Sequence, residues 1–352
     1  MDLNNLILFF LLVISGLFFY KYFFLFLNKF NSKLFVDDEF KKPQAFHEIS
    51  VSTYGGVGIF ISLLILCSYL FLSKQIIYYE YLSFCTLFFI LGLMEDLKFN
   101  LKPKLRLIIM IVFLIILVIS NNFYIENTGI RFLNRFLEID IFALFFICLC
   151  FLFIVNGSNL IDGYNGLLSI HALIILINLF FVNYFGGNND LAFLIFSMIL
   201  ILAVFLKYNF PKAKLFLGDG GSYLIGTIIA ISTIKTSIAN PLISPFYFCI
   251  LLSYLFFEVF FSFIRKIVMA KRSPLFPDNK HLHMLVYKYL LKKNGNKLKS
   301  NYSVALILNS IYLIMIIPPI FMMENGTFCK YYSVLLFVTY LFSYKKISEK
   351  IK

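Results

Sequence analysis

Asn156-Gly-Ser-Asn159-Leu-Ile-Asp162-Gly-Tyr-Asn165-Gly166 follows directly on Ile139 to Val155, a run apolar enough to lie in a lipid bilayer. Two amides and a carboxylate at the end of such a run need a reason, because polar groups at a membrane boundary are costly unless they are satisfied or used. If the helix continues through them, Asn156, Asn159 and Asp162 recur every third residue and share a side, after which Gly163 and Gly166 let the backbone turn tightly. Two readings stay open. Asn and Asp can close the last backbone groups of a helix, or a carboxylate beside amides can hold a divalent cation and a phosphate.

The run before this stretch is one of many. The 352 residues are 61% hydrophobic and 14% charged, which excludes a soluble globular class. Apolar runs of spanning length fall at about 5–27, 54–73, 77–94, 105–120, 139–155, 167–185, 190–206, 221–238, 243–264, 302–323 and 329–344. The expectation is a single all-α polytopic integral membrane domain over residues 1–352, with about eleven transmembrane helices. The first run lacks a basic leader and a small-residue cleavage site, so it reads as a retained helix. Of the lysines and arginines, 25 fall on one face of the membrane and five on the other, with Lys21 inside the first helix. That asymmetry predicts an outside N-terminus and a cytoplasmic C-terminus in the inner (plasma) membrane. Loops 28–53, 95–104, 156–166, 207–220 and 265–301 would then form a cytoplasmic active-site face. The net charge of +13 gathers there, where it draws anionic lipid head groups and phosphorylated substrates, and it is no sign of nucleic acid. Cys67, Cys85, Cys148, Cys150 and Cys249 lie within apolar runs and Cys329 at a helix end, which gives neither a disulfide framework nor a zinc pattern.

Further polar clusters fall on the same face. Glu95-Asp96 ends the third run; adjacent carboxylates repel, and they are tolerated as a solvated helix cap or where they share a proton or a cation, one acting as a base tuned by the other. Gly218-Asp219-Gly-Gly-Ser222 opens the eighth run. Asp and Ser cap helices, but the three glycines also leave N–H groups free for an anion while the carboxylate takes Mg²⁺. Glu258 is the acid well inside an apolar run, either a buried partner or a pathway residue. Arg272 begins a loop reaching Asp278, His281 and His283, groups that contact pyrophosphate, move protons, bind metal or simply sit in solvent. Helix caps alone should divide between two faces; an active site for a charged soluble substrate and a lipid one converges on a single face.

These strings resemble the polyprenyl-phosphate N-acetylhexosamine-1-phosphate transferases: Lys42-Pro-Gln44 with His47 and Gly55-Gly56, Asn159-Leu-Ile-Asp-Gly-x-Asn-Gly-Leu167, Leu217-Gly-Asp-Gly-Gly-Ser222 and Ser273-Pro-x-x-Pro-Asp-x-x-His-Leu-His283, in that order. The resemblance implies an eleven-helix enzyme that moves a sugar 1-phosphate from a UDP-N-acetylhexosamine to undecaprenyl phosphate, releasing UMP with Mg²⁺ or Mn²⁺, among membrane lipids and with a homodimer left open. It implies that Asp96, Glu95, Asp162 and His281 are catalytic and that Asp219 and Asp162 hold the metal. Lys104, Asn156, Asn159, Asn165, Arg272 and His283 would bind substrate. Glu95 stands where the family has a first Asp, Asn165 where many members have a second Asp, Met284 where a third His often follows, and Thr53-Tyr54 where Pro-Arg precedes the double glycine. Transfer of phospho-N-acetylmuramoyl-pentapeptide is the alternative within the class, and a secondary transporter for an anionic solute the alternative outside it.

Overall fold

The computed structural model describes residues 3–29, 36–37, 51–99, 101–269 and 278–351. Helix α1 (Leu3–Lys29) leads to a short antiparallel pair, β1 (Val36–Asp37) and β2 (Val51–Ser52), with Val36 opposite Ser52. There follow α2 (Gly55–Lys74), α3 (Tyr79–Asp96), α4 (Pro103–Asn121), α5 (Arg131–Leu137), α6 (Asp140–Ile161), α7 (Leu167–Phe185), α8 (Asn189–Asn209) and α9 (Gly218–Ala239). The remainder is α10 (Pro245–Leu251), α11 (Ser253–Ile264), a π-helical turn at Arg265–Met269, α12 (Leu282–Asn294), α13 (Lys297–Phe321) and α14 (Gly326–Ile351). Every apolar run falls on a helix, or on the α10–α11 pair for 243–264.

Among the described residues eight helices are long and apolar enough to cross a membrane, or nine if α10 and α11, bent by 74° at their junction, make one span. This measure, of length and composition only, counts fewer than the expected eleven. The runs that drop out are α3, which carries Glu80, Glu95 and Asp96, and α14, rich in tyrosine and lysine. Parts of the expected loops are also helical. Residues 156–161 finish α6, and α12 lies inside the stretch 265–301, where a polar, lysine-bearing sequence gave no spanning signal.

Helix α9 is the axis of the bundle. Its span is 78% buried, against 22–56% for the other candidate spans, and it packs on α2, α3, α6 and α7. Gly221, Gly226, Ala230 and Ser232 make such contact affordable, since lipid drives helices together weakly and close packing of small residues does the rest. Tyr81 and Ser232 share a hydrogen bond of 2.9 Å across the α3–α9 contact. Outward faces carry Leu72, Phe145 and Phe185, all exposed, as lipid-facing surfaces require.

The C-termini of α3, α6 and α8 meet the N-termini of α2, α7, α9 and α13 at one end. Backbone N–H groups of Gly55 and Gly56 donate to Phe216 and Leu217 carbonyls at 3.0 and 2.9 Å. Asn165 N–H donates to Asn301 Oδ1 at 2.9 Å, and Gly166 N–H to Asn209 Oδ1 at 2.7 Å. At the other end Lys235 meets Glu80 at 2.6 Å and Lys74 meets Asp190 at 3.6 Å.

Candidate active site

The N-terminus of α9 assembles the site. Asp96, last residue of α3, accepts the Asp219 N–H on Oδ1 at 2.8 Å and the Gly220 N–H on Oδ2 at 2.9 Å, filling two of the donors that a helix start leaves open. Gly218 makes this approach feasible. Its φ of +73° suits glycine, and a Cβ there would lie 2.5 Å from Asp96 Oδ2 and 2.6 Å from the Thr53 carbonyl. Asn159 then donates its amide to Asp219 Oδ1 at 2.7 Å and to Ser222 Oγ at 2.9 Å. Asp219 remains 38% exposed, open to a ligand from the aqueous side.

Asp162 caps α6 and is half-buried. Burial, with the charges of Asp219 and Asp96 pushing the same way, raises its carboxyl well above the usual carboxylate range. Among the described residues no basic side chain pairs with Asp162. The cation that does approach is Arg106, with Nη1 3.8 Å from Glu95 Oε2 and 4.0 Å from Asp219 Oδ2, and its guanidinium 5.9 Å from the Tyr223 ring centre.

The structure brings some of the expected site residues together and leaves others apart. Asp96, Asp162, Asp219 and Asn159 come together, and Glu95 joins them through Arg106. Asn156 turns away: its amide donates to Leu152 O at 2.8 Å on its own helix. Three-residue steps drift by roughly 60° on an α-helix, so Asn156 and Asp162 diverge by roughly 120° rather than sharing a side. Asn165 is buried and spends its amide on Pro211 O at 2.9 Å; it holds the loop rather than facing a ligand. Lys104 is exposed in the first turn of α4, two residues and therefore about 200° round the helix from Arg106. Arg106, not Lys104, faces the carboxylates. Arg272 and the stretch from Lys42 to His47 lie outside the described residues.

The histidines form a second centre around Glu258. Glu258 Oε2 lies 2.9 Å from His281 Nδ1, and Oε1 accepts the Leu282 N–H at 3.2 Å at the start of α12. Asp278 Oδ1 is 3.5 Å from His281 Nε2, and its Oδ2 is 2.9 Å from Arg265 Nη1. Burial alone would raise Asp278, but the Arg265 hydrogen bond and the neighbouring His281 prevail and hold it below the usual range. His283 is wholly enclosed, and burial lowers its imidazole against the pull of Glu258. Its ring lies 5.4 Å from that of His281 and 5.8 Å from that of Tyr164, in the loop between Asp162 and Gly166. Both histidines are buried rather than lining an open surface, and it is His283 that packs against that loop through Tyr164. Of the two roles the sequence left open for Glu258, the structure shows the buried partner, while Arg106 had no role assigned, although it is the last of the four cations Lys98, Lys102, Lys104 and Arg106 that lead into α4.

Fold and site define a multi-pass helical membrane protein that collects carboxylates at one end of its bundle. The glycosyl transferase family 4 model matches residues 78–237, a range holding Glu95, Asp96, Asn159, Asp162 and Asp219. The chain is 30% identical over 237 residues to the undecaprenyl-phosphate alpha-N-acetylglucosaminyl 1-phosphate transferase of Thermotoga maritima, covering 67% of this chain and 68% of that one. It is 25% identical over 213 residues to the enzyme of that name from Escherichia coli O157:H7, covering 59% and 58%. A phospho-N-acetylmuramoyl-pentapeptide-transferase of Streptococcus pyogenes is 36% identical, over 110 residues that make up 30% of this chain and 33% of that one. The chain belongs to glycosyl transferase family 4.

Proposed function

We propose that the protein transfers N-acetylhexosamine 1-phosphate, N-acetylglucosamine 1-phosphate in the first instance, from a UDP-sugar to undecaprenyl phosphate, releasing UMP as the first membrane step of a cell-envelope polysaccharide. The observation that carries this reading is the gathering of Asp96, Asp162 and Asp219 around one helix N-terminus with Arg106 at the rim. Relatives that share two thirds of the chain bear the name of that activity, whereas the pentapeptide-transferase likeness covers less than a third. The polar groups lie at an end of the bundle, which favours an enzyme drawing on water and lipid together over a transporter with a mid-membrane site.

Among the described residues no three His, Cys, Asp or Glu side chains form a ready-made metal cage. That donor set fits Mg²⁺, which keeps much of its water and is held by one or two carboxylates and the substrate's phosphates. Asp219 and Asp162 are the residues that would hold it, or Mn²⁺ in its place, and the ion would offset charge on the transferring phosphoryl oxygens. Asn159 fixes Asp219 Oδ1. Asp96 fixes the backbone beneath Asp219, and each of its oxygens keeps a lone pair with which to orient the proton of the acceptor phosphate. Arg106 is placed to pair with a phosphate of the donor.

Purified protein given undecaprenyl phosphate and Mg²⁺ should release UMP from a UDP-N-acetylhexosamine and not detectably from UDP-N-acetylmuramoyl-pentapeptide. The reverse preference would move the chain to the other branch, and no UMP from either would overturn the reading. We further place the carboxylate end in the cytoplasm of a plasma membrane, on the 25-to-5 division of basic residues. In a cysteine-free background, an impermeant thiol reagent on intact cells should reach Asn127→Cys and miss Lys350→Cys. The opposite pattern would invert the topology.

A further inference from the structure

A cavity of about 300 Å³ opens between α11, α12, α13 and α14, and none of the carboxylate cluster lines it. Its walls are mainly hydrocarbon, with Phe257, Val286, Ile311, Met315 and Leu336 among them. The lining changes character toward the end of α14. Lys346 and Lys350 are the charged residues of the lining, both exposed and four apart on a helix, so they stand one above the other on the same face. Lys350 Nζ lies 5.5 Å from the Tyr289 ring centre on α12. This end of α14 is the site end of the bundle, because the Tyr344 hydroxyl donates to the Lys280 carbonyl at 3.0 Å, next to His281.

An apolar slot among membrane helices, with two ammonium groups where the helix emerges, is complementary to an anionic headgroup carrying a hydrocarbon chain. We propose that this cavity binds an anionic phospholipid, one acyl chain lying between α11 and α14 and the phosphate resting on Lys346 and Lys350. A long isoprenoid phosphate has the same chemistry, and two observations favour the phospholipid. The carboxylates are presented by α3, α6 and α9, so a phosphate held on the last turns of α14 is not one offered to Asp96 and Asp219. The volume is at the small end of the range for ligand pockets, room for part of one chain.

The inner wall gives the site a consequence. Leu282, which lies between His281 and His283, belongs to the lining, as do Tyr254 and Tyr340, which flank Glu258. A chain in the slot braces α12 against α11, at the place where Glu258 holds His281 and the Leu282 N–H. Bound lipid therefore stabilises the second centre without touching the first.

The test uses the full chain, stripped of lipid in a neutral detergent and titrated with phosphatidylglycerol or with phosphatidylcholine of the same acyl chains. Native mass spectrometry reads the bound lipid, and the melting midpoint reads its effect. Phosphatidylglycerol should bind and raise the midpoint in a saturable way, with phosphatidylcholine binding more weakly. The variant Lys346→Gln/Lys350→Gln should bind phosphatidylglycerol about thirtyfold more weakly, since each lysine beside an anionic headgroup contributes roughly fivefold. Met315→Trp, which fills the slot, should lose retained lipid of either kind. Equal binding of the two lipids, or unchanged phosphatidylglycerol affinity in the double lysine variant, would overturn the site. So would one-for-one displacement of phosphatidylglycerol by undecaprenyl phosphate, which would assign the slot to the acceptor. None of these readouts uses turnover, so failure of the proposed activity leaves them decisive.

Discussion

The two ends of the bundle handle negative charge in opposite ways. At the end where α2 and α9 finish, Glu80 meets Lys235 at 2.6 Å and Asp190 meets Lys74 at 3.6 Å, each acid with its own base. At the end where α9 begins, Asp96 leans on two backbone N–H groups, Asp219 on an amide and a distant guanidinium, and Asp162 has no basic partner among the described residues. Charge compensated locally stabilises a fold. Charge left uncompensated raises the free energy of the empty site, and a cation or a donor bearing one recovers that energy on binding. One end is therefore finished by the chain itself and the other by what arrives.

The sharpest way to break this contrast is Asp219→Asn. Turnover should fall by roughly 10²- to 10³-fold or more, the scale seen when one electrostatic partner of a reacting group is lost, while the melting midpoint stays near wild type. UMP release that survives this change, or that survives exhaustive chelation of divalent ions, would remove the metal assignment. Asp96→Asn should affect both properties. An amide accepts on one atom only and turns an NH₂ toward the second N–H, so the start of α9 should lose about 1–2 kcal/mol alongside most of the activity. A variant with lost activity and an unchanged midpoint would separate a proton-handling role from the capping one. Arg106→Gln should raise KM for the UDP-sugar about tenfold, the value of one charged hydrogen bond, with Lys104→Gln within about twofold of wild type. The reverse ranking would put the substrate on the other face of α4. At the finished end, Lys235→Gln should cost about 1 kcal/mol in thermal stability and leave UMP release unchanged, because that pair is only about one-quarter exposed and far from the carboxylates. Impaired turnover in a well-folded Lys235→Gln protein would show that the two ends are coupled.

The bundle and the polar strings are legible in the amino-acid sequence, and the details that depend on direction are not. Eleven apolar runs located the helices because a bilayer demands length and apolarity, both additive along a chain. Asp96, Asn159, Asp162 and Asp219 stood out because polar residues at the ends of apolar runs are conspicuous. The choice between Lys104 and Arg106 is a matter of helical phase, fixed by which face of α4 meets α3 and α6, and composition carries no such information. Asn156 points elsewhere for a related reason, since a three-residue spacing looks like one face over one step and drifts off it over two. Glu258 was visible but silent, because its partners His281 and Leu282 lie 23 and 24 residues downstream, a separation that no helical or strand period specifies.

The hydrogen bonds from Asp219 and Gly220 to Asp96 also set an order of assembly. The partners are 123 and 124 residues apart, so α3 is synthesised and enters the bilayer long before the N–H groups that will satisfy its last residue exist. Until α9 arrives, that carboxylate must wait in water. A position at the extreme end of α3, rather than a turn or two deeper, is what lets a nascent chain hold it there. Any truncated product ending before Gly218 would insert several helices and possess no site at all.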